Sequence, residues 1–280
     1  MEPDSARPDH DLIRSLTLAE FPRSAAYDPR WVMANQMGPN VLWLTEALTQ
    51  AMDLQPGMRV LDLGCGKAIS SIFLAREFGV RVWATDLWIE AGENWDRVRA
   101  AGLEDSICPI HVEAHALPFA EGFFDAMLSM DAYHYFGTDD LYLGYVARFI
   151  KPGGQLGIIM PGLARELGAG GLAAVPEHLK PYWVWDFCSF HSVDWWREHW
   201  ARTGLVTVET ADAMEAGWRH WLRWLDICQA QGRATTGPTA PGEAEEAEML
   251  RADAGRNLGF TRLVARRNPA DDRPDVLGPQ

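Results

Sequence analysis

The chain has 280 residues, 48% of them hydrophobic, which is enough for one large domain or for a domain with a substantial cap. Its formal net charge of -14 repels phosphate backbones and anionic membrane surfaces, which argues against nucleic acid as the main partner. No apolar run approaches the ~20 residues of a membrane span, and the first residues lack the apolar stretch of a secretory signal. Four widely spaced cysteines without a C-x-x-C pair predict reduced core thiols in a cytoplasmic protein.

The amino-terminal part of the chain is expected to form a helical cap. Residues 1–24 are read as a polar lead-in, and apolar residues then recur at helical spacing from Val41 to Met52. The pattern stops at residues 55–57, Gln-Pro-Gly, which are typical of a turn. Residues 1–54 are therefore interpreted as an amino-terminal helical lid segment.

Strands and helices alternate after this segment. Short apolar runs bounded by turn residues predict strands at 59–63, 80–85, 107–112, 124–130, 155–160, 205–209 and 260–265. Helical spacing predicts helices near 69–78, 89–101, 141–150, 193–203 and 218–225, and an acidic helix from residue 243. Ser192 is the expected N-cap of the fourth of these helices, and Lys151 to Gly154 is expected to be a turn.

This alternation predicts an α/β fold with a doubly wound, mostly parallel sheet, helices on both faces and an antiparallel last strand. The expected core covers residues 55–160. Residues 161–192, which begin with a glycine-rich stretch, are interpreted as an insert that forms a substrate lid. Residues 193–267 complete the core with a helical insertion and a flexible link at 232–243, and residues 268–280 are expected to be disordered.

Glycines and acids collect at the carboxyl ends of the predicted strands. Gly64, Asp86, Glu113 and Asp131 all lie at or just past a strand end. Ligands of doubly wound sheets bind beyond these ends, near the point where the strand order reverses. The sequence therefore predicts one ligand site built from four different strands.

The first of these turns, within Val60 to Ile69, contains G-x-G but not the third glycine of a dinucleotide-binding loop, whose place is taken by Ile69. Gly64 and Gly66 still expose backbone to a ligand, although a tight turn without a ligand would look the same. Asp86 favours a ligand, because a carboxylate after the second strand can accept both hydroxyls of an unphosphorylated ribose. Glu113, after the third strand, can accept a hydrogen bond from an adenine amino group.

Together these stretches resemble the motif series of class I S-adenosylmethionine-dependent methyltransferases, and most closely the ubiquinone/menaquinone-biosynthesis-like branch that acts on small molecules. The similar stretches are VLDLGCGKA, ATDL, EAHALPFAEGFFDAMLSMDAYHYF and IKPGGQLGI, over about residues 55–160. The resemblance implies a seven-stranded Rossmann-like sheet with S-adenosylmethionine as cofactor and a small-molecule methyl acceptor as partner.

The resemblance also implies roles for individual residues. Gly64, Cys65 and Gly66 would approach the methionine part of the cofactor, with Asp62 supporting the loop. Asp86 would bind the ribose, and Leu87 or Trp88 would pack on the adenine. Glu113 and Ala114 would contact the adenine edge, and the backbone near Met130 would meet the cofactor's amino group. Two departures stand out: Ala68 replaces a common glycine, which would be tolerated if residue 68 is already helical, and Glu113 replaces a common aspartate.

Methyl transfer needs an aligned acceptor, and it needs a base only if the acceptor must lose a proton. His134, which follows the fourth strand, is the predicted base; Asp131 would orient it and Tyr133 would shape the acceptor site. His134 could equally make only a structural contact at the strand end. Tyr27, Trp183 and Trp185 are predicted to contact the acceptor, and the histidines show no metal-ligand spacing.

Three functions remain open from the residues. The first is transfer of a methyl group to an oxygen, nitrogen or carbon nucleophile of a small organic acceptor, by in-line displacement. The second is a domain that binds S-adenosylmethionine without methylating. The third, a nicotinamide-dependent oxidoreductase, is disfavoured by the missing third glycine. The sequence specifies neither the acceptor nor the oligomeric state.

Overall fold

A computed structural model of the chain describes residues 7–168, 170–232 and 243–269, which form a seven-stranded sheet with helices on both faces. The strands are β1 (Arg59–Leu63), β2 (Arg81–Asp86), β3 (Ile107–His111), β4 (Phe124–Met130), β5 (Ile150–Leu163), β6 (Val206–Ala213) and β7 (Leu258–Arg267). The helices are α1 (Arg7–Leu16), α2 (Pro29–Asn35), α3 (Val41–Thr49), α4 (Ile69–Phe78), α5 (Ala91–Ala100), α6 (Tyr142–Ala147), α7 (Val193–Ala201), α8 (Gly217–Ala230) and α9 (Glu243–Asp253).

The strand order is β3-β2-β1-β4-β5-β7-β6. The first five strands are parallel, and β7 pairs antiparallel with both β5 and β6. The predicted fold class and the antiparallel last strand are therefore confirmed, with β7 inserted between β5 and β6. The order reverses at β1 and β4, whose carboxyl ends flank the site.

Alternating residues of the strands fill two separate cores. Val60, Leu128 and Val264 belong to the core under α3, α4 and α8, whereas Leu61 and Met127 belong to the core under α6 and α7. This period of two is what parallel strands covered on both faces require. The sheet is thereby fixed from both sides, so the strand ends are rigid supports for the loops that follow them.

The structure corrects several expectations outside the sheet centre. The predicted polar lead-in contains α1, whose Leu12 and Leu16 lie one helical turn apart and are buried together with Leu18. The predicted turn 151–154 lies inside β5, where the pairing with β4 shifts register. The N-cap prediction for Ser192 is confirmed, because its side chain accepts a hydrogen bond from the Trp195 amide.

The insert 161–192 continues β5 to Leu163 and then forms short 3-10 helices at 171–174, 180–182 and 185–189. Most of the predicted link 232–243 and of the predicted tail 268–280 lies outside the described residues. No disulfide joins the four cysteines, all of which lie within the described residues, but only Cys65 and Cys228 are buried, so the prediction of core thiols is wrong for Cys108 and Cys188. No helix within the described ranges is long and apolar enough to cross a membrane.

Candidate functional site

A cavity of about 230 Å³ opens at the carboxyl ends of β1, β2, β3 and β4. The structure brings most of the predicted site residues to its wall: Gly64, Cys65, Gly66, Asp86, Leu87, Glu113, Ala114, Met130, Asp131 and His134. These residues come from four strand ends that are far apart in the chain. Their convergence follows from the parallel pairing, which puts all four carboxyl ends at one edge of the sheet.

The loop after β1 is a tight turn held by the neighbouring strand. The amides of Gly64 and Cys65 both donate to the Thr85 carbonyl, at 2.9 and 3.0 Å. Gly64 has a φ of +77°, and a Cβ added to it would collide with the Cβ of Ala132 after β4. Glycine is therefore needed at position 64 both for the left-handed backbone and for the close approach of the two loops.

Ala68 differs from its expectation. Alanine was expected to be tolerated at this position, where a glycine is common, if residue 68 were already helical. Instead Ala68 precedes the first residue of α4 and has a left-handed φ of +58°. A left-handed alanine costs roughly 1–2 kcal/mol relative to a right-handed one. The loop thus keeps the backbone shape of a glycine at position 68 without having the glycine.

Asp62 supports the loop from below. It is fully buried in β1 and its Oδ2 accepts hydrogen bonds from the hydroxyls of Ser70 and Ser71, each at 2.6 Å. Burial raises the pKa of Asp62 to about 6, although the two serine hydrogen bonds lower it. Asp62 does not reach the cavity wall; it fixes the first turn of α4 against the end of β1.

Asp86 ties the second strand end to the glycine loop. Its Oδ2 accepts from the Gly66 amide at 2.7 Å, and its Oδ1 accepts from the Trp88 and Ile89 amides at 2.8 and 2.9 Å. Asn94, which the sequence analysis missed, donates from Nδ2 to the Gly66 carbonyl at 2.9 Å. Gly66 is therefore held on both its amide and its carbonyl side.

Asn94 also connects the loop with the amino-terminal lid segment. Arg97 donates to Asn94 Oδ1 at 2.9 Å and to Asn35 Oδ1, at the end of α2, at 3.0 Å. Asn94 is buried in α5, where an asparagine has little helix propensity. That mismatch is the sequence signal that could have singled it out.

Glu113 lines the adenine side of the predicted site, and its side chain is 45% exposed. Slight burial raises its pKa, but the hydrogen bonds from the His115 ring and amide, at 2.7 and 2.8 Å, outweigh this, so the pKa is lowered overall. Glu113 is thus a charged acceptor with exposed surface. Trp88 and Tyr135 form an edge-to-face pair at the mouth, with ring centroids 5.9 Å apart.

The segment after β4 forms the opposite wall. Met130 is buried, and Asp131 has a left-handed backbone with a φ of +55°, anchored by its amide to the Ile159 carbonyl at 2.8 Å. His134 is 2% exposed, lines the cavity, and its Nδ1 has no hydrogen-bond partner. Burial lowers the pKa of His134 to about 3, so its imidazole is neutral.

The structure does not bring Tyr133 to the cavity. The ring is fully buried in the other core, where it contacts Phe136, Tyr142, Trp196 and Trp200. In the 3-10 turn 133–135 successive side chains point in different directions, so His134 faces the cavity while Tyr133 faces away.

The three predicted acceptor contacts also lie away from the cavity wall. The hydroxyl of Tyr27 donates to Glu77 at 3.1 Å on the outer side of α4. Trp183 is half-buried and packs against Phe187, and Trp185 is 76% exposed. Two aromatic residues of this insert, Phe187 and Phe190, do line the cavity, and the sequence analysis missed both.

Further lining residues come from the amino-terminal lid segment and from the helices α8 and α9. Asn35 and residues 37–39, which lie within the predicted amino-terminal lid segment 1–54, reach the wall together with Trp221 of α8 and Glu246 of α9. Trp221 falls in the helix predicted near 218–225 and Glu246 in the acidic helix predicted from residue 243. No local motif distinguishes them, because their place depends on how α8 and α9 pack on the sheet.

The fold and the position of the site define a class. A seven-stranded sheet of this order, with the antiparallel β7 and a cavity over the β1 and β4 ends, is the Rossmann-like fold of class I methyltransferases. Among solved structures, the chain is similar to the [4+2]-cyclase SpnF, with a TM-score of 0.63, 21% identity and 81% coverage of each chain. At that identity the likeness establishes the fold alone.

Sequence comparison gives a match to one family. Residues 60–154 match the methyltransferase domain family, so this part of the chain is similar to the domain of S-adenosylmethionine-dependent methyltransferases. The chain is 33% identical over 118 residues to the methyltransferase GfsG of Streptomyces halstedii, which covers 41% of the chain and 42% of that relative. It is 31% identical over 120 residues to the demethylmenaquinone methyltransferase of Mycobacterium marinum, covering 43% and 48%. The chain thus spans less than half the length of either relative.

Proposed function

We propose that this protein binds S-adenosylmethionine and transfers its methyl group to a small organic acceptor. The observation that supports this most directly is the convergence of the glycine loop, Asp86, Glu113 and His134 on one cavity at the carboxyl edge of the sheet. The methyltransferase domain match over residues 60–154 supports the same reaction.

The residues present fit the cofactor. Gly64 and Gly66 both line the cavity, and the methionine part would lie against their backbone. Asp86 would hold the ribose hydroxyls. A carboxylate has about four acceptor sites and backbone amides already use three of them, so the ribose would compete with the Gly66 amide for Oδ2. Leu87 and Trp88, half-exposed at the mouth, would cover the adenine, and Glu113 with Ala114 would contact its edge.

S-adenosylmethionine supplies a methyl group on a positively charged sulfur, and the acceptor's nucleophile takes it as the carbon–sulfur bond breaks. The protein's part is to align the acceptor and to exclude water. His134, neutral and with an unpartnered Nδ1, would accept a hydrogen bond from the acceptor. Asp131 on the same wall is the second candidate for handling the acceptor's proton.

The acceptor would lie beside the part of the cavity wall that comes from the insert 161–192 and from α8. Phe187, Phe190 and Trp221 give it an apolar wall suited to a small organic molecule. The formal net charge of -14 argues against a nucleic acid acceptor. Free cysteines favour the cytoplasm as the compartment.

Calorimetry with S-adenosylmethionine, S-adenosylhomocysteine and NAD tests the cofactor. We expect the first two to bind and NAD to give no heat of binding. Binding of NAD in place of both adenosyl ligands would contradict the proposal. Methyl transfer itself is tested by S-adenosylhomocysteine formation from S-adenosylmethionine in a mixture of small amines, alcohols and activated carbon acids.

A second candidate is a domain that binds S-adenosylmethionine without methylating. The fold similarity to a [4+2]-cyclase favours keeping it, because that protein is named for a different reaction. The two candidates differ in one outcome: the second predicts tight cofactor binding and no S-adenosylhomocysteine formation with any acceptor class.

A further inference from the structure

The cavity wall is rich in carboxylates. Asp86, Glu113, Asp131 and Glu246 line it, whereas Lys67 is the one lysine or arginine among the described lining residues. Two of the carboxylates have donors of their own. Asp86 accepts three backbone amides, and Glu113 accepts from the ring and amide of His115.

Asp131 is different, because none of the described residues donates a hydrogen bond to its carboxylate. The carboxylate lies against Gly38, where an added Cβ would collide with Oδ2. The negative charge of Glu246 in α9 raises the pKa of Asp131 further, so it adds to the charge of Asp131 instead of compensating it. A carboxylate in such surroundings needs a cation or a proton.

The backbone of Asp131 supports a functional interpretation of this arrangement. A left-handed backbone is uncommon outside glycine, although aspartate and asparagine adopt it more readily than other residues, and it is often found at functional sites. Here the Asp131 amide donates a hydrogen bond to the Ile159 carbonyl in β5, which holds this backbone conformation, and Asp131 lines the cavity.

His134 gives a second, independent indication of a ligand. It is 2% exposed, it lines the same cavity, and its Nδ1 has no partner. A buried ring nitrogen without a partner loses the free energy of a hydrogen bond unless a ligand supplies one. A neutral imidazole can present Nδ1 as an acceptor, which requires an N–H or O–H donor on the ligand.

The surrounding wall is aromatic. The ring centroid of Phe190 lies 5.5 Å from that of His134, Phe187 stacks on Phe190 with ring centroids 4.9 Å apart, and Trp221 also lines the cavity. Aromatic faces attract organic cations and also pack against their apolar substituents. A ligand that has several N–H donors, a positive charge and an apolar body satisfies all three features at once.

We propose that the methyl acceptor is a protonated organic amine whose ammonium group binds to Asp131 and to His134 Nδ1, with Glu246 adding negative charge and the aromatic wall contacting its apolar part. The proposal rests on the proposed function, since it identifies the acceptor of that reaction. An alcohol offers a single donor and no charge, so it leaves Asp131 uncompensated.

An ammonium nitrogen has no free electron pair, so it must lose a proton before it can react. Asp131 takes that proton: one N–H bond breaks, an O–H bond forms on the carboxylate, and the electron pair stays on nitrogen. Burial and the charge of Glu246 raise the pKa of Asp131, whereas burial lowers that of His134 to about 3, which makes Asp131 the stronger base of the two.

The test uses the full chain saturated with S-adenosylhomocysteine and two probes of the same skeleton, 2-phenylethylamine and 2-phenylethanol. Calorimetry measures both affinities without any turnover. We expect the amine to bind about tenfold to a hundredfold more tightly, the range given by one hydrogen-bonded charge. Equal affinities, or no measurable binding of the amine, overturn the proposal.

Asp131→Asn then identifies the residue responsible. Asparagine tolerates the left-handed backbone, so the variant keeps the local fold while losing the charge. We expect it to abolish the preference for the amine, and Glu246→Gln to reduce it. The control is Asp105→Asn, which changes net charge equally at an exposed position outside the cavity wall and leaves the preference unchanged.

The same titrations separate this proposal from two others. If Asp131→Asn weakens S-adenosylhomocysteine binding and leaves the amine preference intact, Asp131 serves the cofactor and the proposal is wrong. If the unaltered protein fails to bind S-adenosylhomocysteine at all, the proposed function itself fails. Cofactor binding with no amine preference contradicts only the amine proposal.

Discussion

Gly64→Ala tests whether the loop after β1 depends on close backbone approach. Gly64 has a φ of +77°, and an added methyl group would overlap with Ala132, which belongs to the loop after β4. Neither the added methyl group nor that of Ala132 can rotate away, because alanine has no side-chain torsion. Both loops also follow buried strands. Gly57→Ala is the matched control, since its φ is +82° but its added Cβ would have no atom within 4 Å.

Both variants incur the left-handed backbone cost of roughly 1–2 kcal/mol. Gly64→Ala adds an overpacking cost of about 1–3 kcal/mol at the contact with Ala132. We therefore expect Gly64→Ala to lower the free energy of unfolding by about 2–5 kcal/mol, and by ~1–3 kcal/mol more than the control. Urea denaturation of the two variants, analysed with a common slope, measures this difference.

The same pair of variants also reports on the site. Because Gly64 lines the cavity and Gly57 does not, we expect Gly64→Ala to weaken S-adenosylhomocysteine binding at least about tenfold in calorimetry, the effect of ~1.4 kcal/mol, while Gly57→Ala binds like the unaltered protein. Equal stability of the two variants would refute the steric argument. Equal affinity would refute the role of this loop in binding.

Three further residues and the two predicted lids give shorter tests. The pKa of Asp62 is raised to about 6, so its ionisation should lower the free energy of unfolding by about 2 kcal/mol as pH rises from 4 to 7. Asp62→Asn should flatten that slope in urea titrations, and an unchanged slope would contradict it. Asn94→Ala leaves the Gly66 carbonyl without its side-chain donor, so it should lower the free energy of unfolding by about 1–3 kcal/mol. It should also weaken S-adenosylhomocysteine binding, which checks the role of Asn94 in the loop. His134→Ala should lower the methyl-transfer rate at saturating acceptor; an equal rate at every pH would remove His134 from the reaction. Hydrogen exchange in segments 29–40 and 161–192 should slow when cofactor or acceptor binds, and unchanged exchange would count against both as lids.

The sheet and one wall of the cavity could be predicted from the sequence because they are local. Residues 59–63 and 124–130 were predicted to the residue as strands, since a buried parallel strand is a short apolar run. The glycine loop, Asp86 and Glu113 follow such strands directly. Once the strands are parallel, their common position at one edge of the sheet requires no further information.

The other wall could not be predicted, because it depends on packing between distant elements. Glu246 reaches the cavity from α9, whose acidic composition also fits an ordinary exposed helix. Trp183 and Trp185 were predicted to contact the acceptor and Phe187 was missed, because nothing in the insert specifies which aromatic side chains turn inward. Tyr133 and His134 are neighbours in the sequence, yet in the 3-10 turn the Tyr133 ring packs into the core while His134 lines the cavity.

Charge, more than the glycine pattern, distinguishes this site from a dinucleotide site. A pyrophosphate would sit at the amino-terminal turn of the helix after β1, where the helix dipole attracts anions. In this protein that turn already faces a buried carboxylate, because Asp62 accepts hydrogen bonds from Ser70 and Ser71 of α4. With a pKa of about 6, Asp62 is mostly ionised at neutral pH and would repel a phosphate. Asp131 and Glu246 add carboxylates of the same sign to the cavity wall, so this wall would favour the positively charged ends of both the proposed cofactor and the proposed ammonium acceptor.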